Sequence, residues 1–379
     1  MVSNKQYLKL RARMILPVKE SKYKIAWWLK IILIFTFPLW VIPFLITNFF
    51  VGLMMRNVMQ NFQRTGESTN PNYLKINLNT LDFYNHDMEL QNCPQLLIDD
   101  MTWDMMQPQD ITITTYDNKL LSAFFIDNHQ PNKNDKWVIA THGWQQNRYS
   151  ILYLAKYFYD QGYNVVTYDT RGHGSNNSDD AITFGNKEAD DLYTVIVSLN
   201  NYLQVSNLNQ PSNIILTGNS MGASTILETI SRFDTSSIGV KCAIADCGFD
   251  SFSHMIKIMG KQYFKLHWFW FYFGVNFFFK SKDKFKINSI NPINKFKYCS
   301  TIPVLFIHGN DDETVPVTMA QKMYYNKIKY EEEVRSDLLI VPFAKHIRSI
   351  TTNYDMYCKI TLKFVNKWTN NTKIEDKGE

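Results

Sequence analysis

The stretch NIILTGNSMGASTILETISRF, residues 213 to 233, decides the fold. Asn213 to Thr217 is a short apolar run of strand length, and Ala223 to Arg232 carries apolar residues at helical spacing. Between them lies Gly218-Asn219-Ser220-Met221-Gly222. A G-x-S-x-G between a strand and a helix is a sharp turn, whose two glycines let the backbone double back and lift the serine hydroxyl above the sheet. Ser220 is therefore the candidate nucleophile. The bland alternative is a serine that caps a helix after a tight turn.

Working outward, the same rhythm repeats. Apolar runs recur at Trp137 to Thr141, Asn164 to Tyr168, Lys241 to Ala245, Pro303 to Ile307 and Asp337 to Val341. Helix-length amphipathic stretches separate them, among them Ser150 to Gln161 and Lys187 to Leu203. Strands that alternate with helices give a mostly parallel sheet covered on both faces, an α/β fold. Ahead of them, ITITTY and KLLSAFFI flank Asp117-Asn118 and predict a β-hairpin. Ligands on such sheets gather at the carboxyl ends of the strands, and the polar motifs of this chain fall there.

A hydroxyl is a weak nucleophile and needs a base, which in turn needs an orienting acid. After the strand IPVLFI comes HGNDDETVP, residues 308 to 316, and after DLLIV comes PFAKH, residues 342 to 346. Asp312 and His346 are the candidate acid and base. Asp311 is the rival carboxylate, either acid could be an ordinary solvated loop residue, and His346 could be a surface histidine. An oxyanion must also be held by preorganised N–H groups. Those of Met221, after the nucleophile, and Trp144, after His142-Gly143, are the candidates, with plain turn chemistry as the alternative for His142-Gly143.

From about Gln109 to Lys367 the chain resembles an α/β-hydrolase of the monoacylglycerol-lipase-like or serine aminopeptidase-like type. The resemblance rests on HGW at 142 to 144, YDTRGHGSNNS at 168 to 178, GNSMG at 218 to 222, HGNDDETVP at 308 to 316 and AKH at 344 to 346. In such families HGxxDxxVP carries the acid at its fifth position, which implies Asp312 here. The final histidine of these families follows a glycine, whereas Lys345 stands before His346. The resemblance also implies that Asp169 and Arg171 brace neighbouring loops.

Other chemistries find little support. The chain has five cysteines and no C-x-x-C pair, which disfavours a zinc ribbon, a redox motif or a disulfide scaffold. No G-x-x-x-x-G-K-[ST] occurs, and His142, His173 and His308 lack a second ligand at metal spacing. No cofactor and no metal are expected. The net charge of +5 is not a nucleic-acid signal. Residues 1 to 56 hold nine Lys and Arg against Glu20, which leaves 31 bases against 34 acids, or −3, on the rest of the chain.

That basic segment surrounds IILIFTFPLWVIPFLITNFFVGLMM, Ile31 to Met55, uncharged and long enough to cross a ~30 Å apolar layer. Pro38 and Pro43 are expected to kink it; the alternative is a buried hairpin of two short helices broken at the prolines. Eight bases precede the segment, and only Arg56 and Arg64 follow closely. The positive-inside rule thus predicts a single-pass protein of the cell membrane, with a cytoplasmic N-terminus and an extracytoplasmic body.

The expected order is a basic N-terminus (1–30), a transmembrane anchor (31–55), a polar linker (56–107), a hydrolase domain (108–368) with a lid at about 248–298, and a polar tail (369–379). The lid is unusually aromatic, YFKLHWFWFYFGVNFFF from Tyr263 to Phe279, and lysines flank it. Such a lid suits contact with an anionic membrane interface or simple coverage of the site. The expectation is a membrane-anchored serine hydrolase, EC 3.1.1 ahead of 3.4, acting on an acyl ester or lipid-like small molecule. A peptidase or amidase with the same triad, or a non-catalytic lipid-binding protein, are the alternatives.

Overall fold

The computed structural model describes residues 27–60, 90, 92–129, 136–176, 181–205, 213–299 and 301–369. The expected basic N-terminus up to residue 26, most of the expected linker (61–89) and the tail from residue 370 lie outside the described residues. The chain divides into a unit ending at Thr47 and a unit beginning at Asn48.

The first element, α1 (Trp27–Gln60), is a single 34-residue helix that continues through Pro38 and Pro43, so the alternative of two short helices broken at the prolines does not hold. Within it Leu39–Gln60 is long and apolar enough to cross a membrane. In the first unit, Leu39, Trp40, Ile42, Leu45 and Ile46 are exposed.

The second unit is built on one eight-stranded sheet. A hairpin of β1 (Gln109–Thr114) and β2 (Leu120–Ile126) forms its antiparallel edge, turned at Asn118 with a positive φ. The strands β3 (Trp137–Thr141), β4 (Asn164–Tyr168), β5 (Ile214–Asn219), β6 (Val240–Asp246), β7 (Val304–Gly309) and β8 (Asp337–Val341) follow in chain order. Their spatial order is β1-β2-β4-β3-β5-β6-β7-β8, and every pair from β4 to β8 is parallel. Each residue of β3, β4, β5 and β7 is buried, which is why those strands read as unbroken apolar runs rather than alternations. Strand order reverses at β3, which has β4 on one side and β5 on the other. This switch point opens a crevice at the carboxyl ends of β3 and β5.

Between the strands run α3 (Leu152–Asp160), α4 (Lys187–Val205), α5 (Met221–Arg232) and α8 (Val317–Ile328), and after β8 come the short α9 (Ser349–Thr352) and α10 (Tyr354–Thr369). The end of the expected linker is not polar filler. It forms a 3₁₀ turn at Pro94–Leu96 and α2 (Asp100–Met106), which Asp99 caps through the Thr102 amide at 2.7 Å. Leu96, Ile98 and Met106 are fully buried in the core beside α3 and α10.

The segment read as a lid comprises α6 (Phe252–Phe264), a 3₁₀ turn at Trp268–Trp270, α7 (Tyr272–Lys282) and short turns up to Tyr298. Its aromatics split between two faces. Phe252, Phe271 and Phe279 point into a second core that includes Met221, Phe184 and, from the tail of α1, Met55 and Met59. Phe269, Phe273 and Phe277 point outward.

Within the second unit the tail of α1 is bound to this lid. The Asn48 side chain donates to the Phe269 carbonyl (3.4 Å) and accepts from the Gly274 amide (3.1 Å). The backbones approach so closely that a β-carbon on Gly274 would stand 1.7 Å from the Asn48 carbonyl oxygen, and one on Gly52 would stand 2.4 Å from the Gly274 carbonyl carbon. Arg56 forms a forked ion pair with the buried Asp283, its Nε donating at 2.9 Å. Gln60 closes the helix by exchanging two hydrogen bonds with the backbone of Ile182, at 2.8 and 3.0 Å.

Candidate active site

Ser220 stands between β5 and α5 with φ 50° and ψ −116°, a strained backbone that only firm surroundings maintain. Its amide donates to the Asp246 carbonyl (2.9 Å), and its carbonyl accepts from the Ser224 amide (3.1 Å). The two glycines of the motif are required by β3. A β-carbon on Gly222 would come within 2.1 Å of the Thr141 carbonyl oxygen, and one on Gly218 within 2.6 Å of the same atom.

The structure brings Ser220, Asp312 and His346 together from loops after β5, β7 and β8. Ser220 Oγ lies 2.9 Å from His346 Nε2, and His346 Nδ1 lies 2.7 Å from Asp312 Oδ2. With the carboxylate able only to accept, Nδ1 carries the proton and Nε2 is left to accept from the serine hydroxyl. Asp312 is buried, whereas its neighbour Asp311 is exposed and has its amide tied to the Ala344 carbonyl (3.1 Å).

Burial alone would raise the Asp312 pKa. Hydrogen bonds from His308 and His346, the charge of His346 and the Val315 amide outweigh it and hold the carboxyl well below the usual range. The Thr314 and Val315 amides reach Oδ1 at 2.9 and 2.8 Å. His308 is a participant that spacing did not single out. Fully buried, it lies 3.2 Å from Asp312 Oδ2 and 2.7 Å from the Val315 carbonyl through the same Nε2. Both partners are acceptors, so Nε2 carries its proton and His308 is a second donor to the acid. Its signal was present, since it opens the HGNDD stretch.

Lys345 in place of the family's glycine is accommodated without strain. The left-handed positions of this turn are Phe343 (φ 62°) and Ile347 (φ 58°), which flank the pair Lys345-His346. Ala344 anchors the turn against β7, where a β-carbon on Gly309 would meet its carbonyl oxygen at 2.1 Å.

On the other side of Ser220 runs the loop after β3. Gly143 packs against the serine so closely that a β-carbon there would stand 3.3 Å from Ser220 Cβ, and Trp144 follows it in the chain. Met221, buried, begins α5 directly after it. The Trp144 indole donates to the Met59 carbonyl at 3.2 Å, so this loop also touches the tail of α1. His142 donates through Nδ1 to the Gly143 carbonyl (2.7 Å) and accepts through Nε2 from the Thr170 amide (2.9 Å). Burial pushes its pKa down to about 4, so it serves this loop as a neutral brace.

Bracing extends through the DTRGHG loop as the resemblance implied. Asp169 accepts from the Arg148 and Ser175 amides, and Arg171 grips Asp191 at 2.5 and 2.6 Å. Below the triad, burial pushes Asp246 up to about 7, against the hydrogen bond from Ser349 (2.9 Å) and the charge of His308. Cys247, Asp312 and His346 offer donor atoms within 4.8 Å of one another. Burial holds the Cys247 thiol well above its ordinary pKa.

Comparison with known proteins follows this geometry. The model of the prolyl oligopeptidase family (Peptidase_S9) matches residues 149–372, more than half of the chain. The chain belongs to this family. The α/β-hydrolase superfamily read from the motifs is thereby shown, and the chain is a serine hydrolase of that fold. The Bacillus subtilis protein YqkD is 28% identical over 243 residues, covering 64% of this chain and 75% of its own. Among solved structures, the Pyrococcus furiosus esterase Pf2001 superposes with a TM-score of 0.55 at 25% identity, over 72% of this chain and 95% of that one. An acylaminoacyl peptidase of Pyrococcus horikoshii gives 0.53 at 16% identity, over 73% of this chain and 45% of that one.

Proposed function

We propose that the protein is a membrane-anchored carboxylic-ester hydrolase for acyl or lipid-like substrates. The observation that carries this reading is the unbroken line of hydrogen bonds from Ser220 through His346 to Asp312 on a strained turn. Ser220 Oγ attacks the ester carbonyl while His346 Nε2 takes its proton, and Asp312 stabilises the imidazolium. The Met221 and Trp144 amides hold the oxyanion. His346 returns the proton to the leaving alcohol, and water then releases the acyl group by the same steps in reverse order.

An ester of apolar acyl character is supported by the aromatic lid, by the apolar helix bound to it, and by the likeness to an esterase over nearly that protein's whole length. The family's name favours a second reading, an amidase or peptidase using the same triad. The helix α1 supplies the anchor, with the N-terminus cytoplasmic and the hydrolase unit outside; protection of the hydrolase unit from protease until cells are lysed would reverse that orientation.

Fluorophosphonate labelling of the detergent-purified full chain tests the reading. Labelling should vanish in Ser220→Ala and fall sharply in His346→Ala. A folded wild-type protein that takes no label would put the non-catalytic lipid-binding alternative first. Matched ester and amide substrates of graded acyl length then separate the two enzymatic readings, the ester being turned over faster.

A further inference from the structure

The lid is the most lopsided part of the chain in charge. Between Phe252 and Tyr298 there are nine lysines and one acid, Asp283, and Arg56 neutralises that acid. A segment of net charge +8 thus sits in a body, residues 57 to 379, that totals −3. Lys261, Lys265, Lys280, Lys282, Lys284 and Lys286 are all exposed. Lys261 and Lys265 line an open groove of about 470 Å³ with Ile258 and Gln262, so two ammonium groups flank an apolar floor. Lys257 lies over the Trp268 and Tyr272 rings at 5.2 and 5.3 Å.

Among these cations stand large apolar groups facing outward. Tyr263 is 68% exposed, Phe277 60% and Phe273 52%, the latter two one turn apart on α7. The patch continues onto the tail of α1, where Phe50 and Met54 are exposed and the Phe49 ring meets Phe278 at 5.3 Å. This continuity is built, since Asn48, Gly52 and Arg56 fasten the helix to α7. The helix that carries the patch belongs to the stretch long and apolar enough to cross a bilayer.

We infer that α7, the exposed edge of α6 and the tail of α1 form one composite face that seats in the headgroup and upper acyl region of an anionic phospholipid bilayer. The aromatics enter the apolar layer and the lysines meet lipid phosphates, the division of labour of an interfacial helix. An arrangement so seated opens the site toward the bilayer. Because Trp144 bonds to the Met59 carbonyl, the same helix tail also steadies the loop that flanks Ser220. The inference rests on reading α1 as membrane-embedded, and the test separates the two.

The full chain, with Cys358→Ser removing the one cysteine that is not buried, receives a spin label at Phe277→Cys, at Leu39→Cys or at Lys329→Cys. Each variant is reconstituted in vesicles of phosphatidylcholine and phosphatidylglycerol, three parts to one, and fluorophosphonate labelling confirms its fold. Oxygen accessibility relative to a nickel chelate should be several-fold higher at 277 and 39 than at the exposed position 329. Replacing Lys257, Lys261 and Lys265 by Gln should lower the ratio at 277 in these vesicles while leaving that at 39 unchanged. A label at 277 as aqueous as that at 329, with 39 in the bilayer, overturns the inference alone. Labels aqueous at both 277 and 39 overturn the membrane anchor as well. Spin-spin broadening between 277 labels, lost on dilution with unlabelled protein, would show a second copy on this face and overturn it too.

Discussion

The triad and the lid are both held by buried contacts, yet they are assembled in different ways. Around Ser220 each side chain is placed by the backbone of a neighbouring strand end: Asp246 under the serine, Thr141 behind the glycines, Ala344 under Gly309. Around α7 the holding is done by side chains from a helix more than 200 positions away in sequence, namely Asn48 and Arg56. The first arrangement tolerates few residue types at few positions. The second rests on individual long-range pairs that can be removed singly without touching the triad.

Four experiments would break or sharpen that contrast. The largest effect is expected from Asp312→Asn, which keeps the shape but loses the charge that stabilises the imidazolium. Turnover of an ester substrate should fall by roughly 10⁴-fold, while Asp311→Asn should leave it nearly unchanged. Comparable losses in the two variants would mean that the observed chain of hydrogen bonds is not the working one.

Next, Arg56→Ala leaves Asp283 buried without its partner and should destabilise the second unit by about 4 kcal/mol. Thermal unfolding in detergent measures this, and the double variant with Asp283→Ala should recover part of the loss. Fluorophosphonate labelling of the folded fraction should persist, which would mark the lid and the triad as separable.

Third comes the protonation of Asp246. Its folded pKa of about 7 stands above the ordinary carboxylate value, so the folded state holds a proton that the unfolded chain releases. Stability from this group is complete at low pH and is lost as pH rises through 7. Asp246→Asn removes the titration, so the variant should gain on the wild type by roughly 2 kcal/mol between pH 5 and 8. A difference that stays flat across that range would place the carboxyl in its charged form.

The smallest effect belongs to Trp144→Phe, which deletes the hydrogen bond to the Met59 carbonyl while keeping an aromatic ring. A loss of about 1 kcal/mol in stability is expected. A selective fall in kcat with KM unchanged would show that the tail of α1 steadies the oxyanion side of the site.

The same contrast explains what the sequence made legible. Ser220, Asp312 and His346 were readable because each chemical role demands one residue type at the end of a strand, and the strands announce themselves as buried apolar runs. His308 escaped a role because nothing in spacing distinguishes a histidine that packs from one that donates to an acid. Asn48 and Arg56 were read only as the exit of an apolar segment, since a partner such as Gly274 or Asp283 leaves no local trace. Leu96, Ile98 and Met106 looked like linker because one short helix between irregular stretches shows no period. The alternative of a hairpin broken at Pro38 and Pro43 fails, since α1 runs through both. A proline removes its own N–H bond, but the turns on either side can continue the helix.

The close approach of Gly52 to Gly274 has a practical side for anyone who wants to shorten the chain. Met55 and Met59 belong to the interior of the second unit, and Asn48 is its first residue. A shortened chain that begins after Gln60 would strip two side chains from that interior and unseat α7, whereas one that begins at Asn48 leaves its packing whole. The natural place to cut the helix therefore lies in its middle, between Thr47 and Asn48, and not at its end.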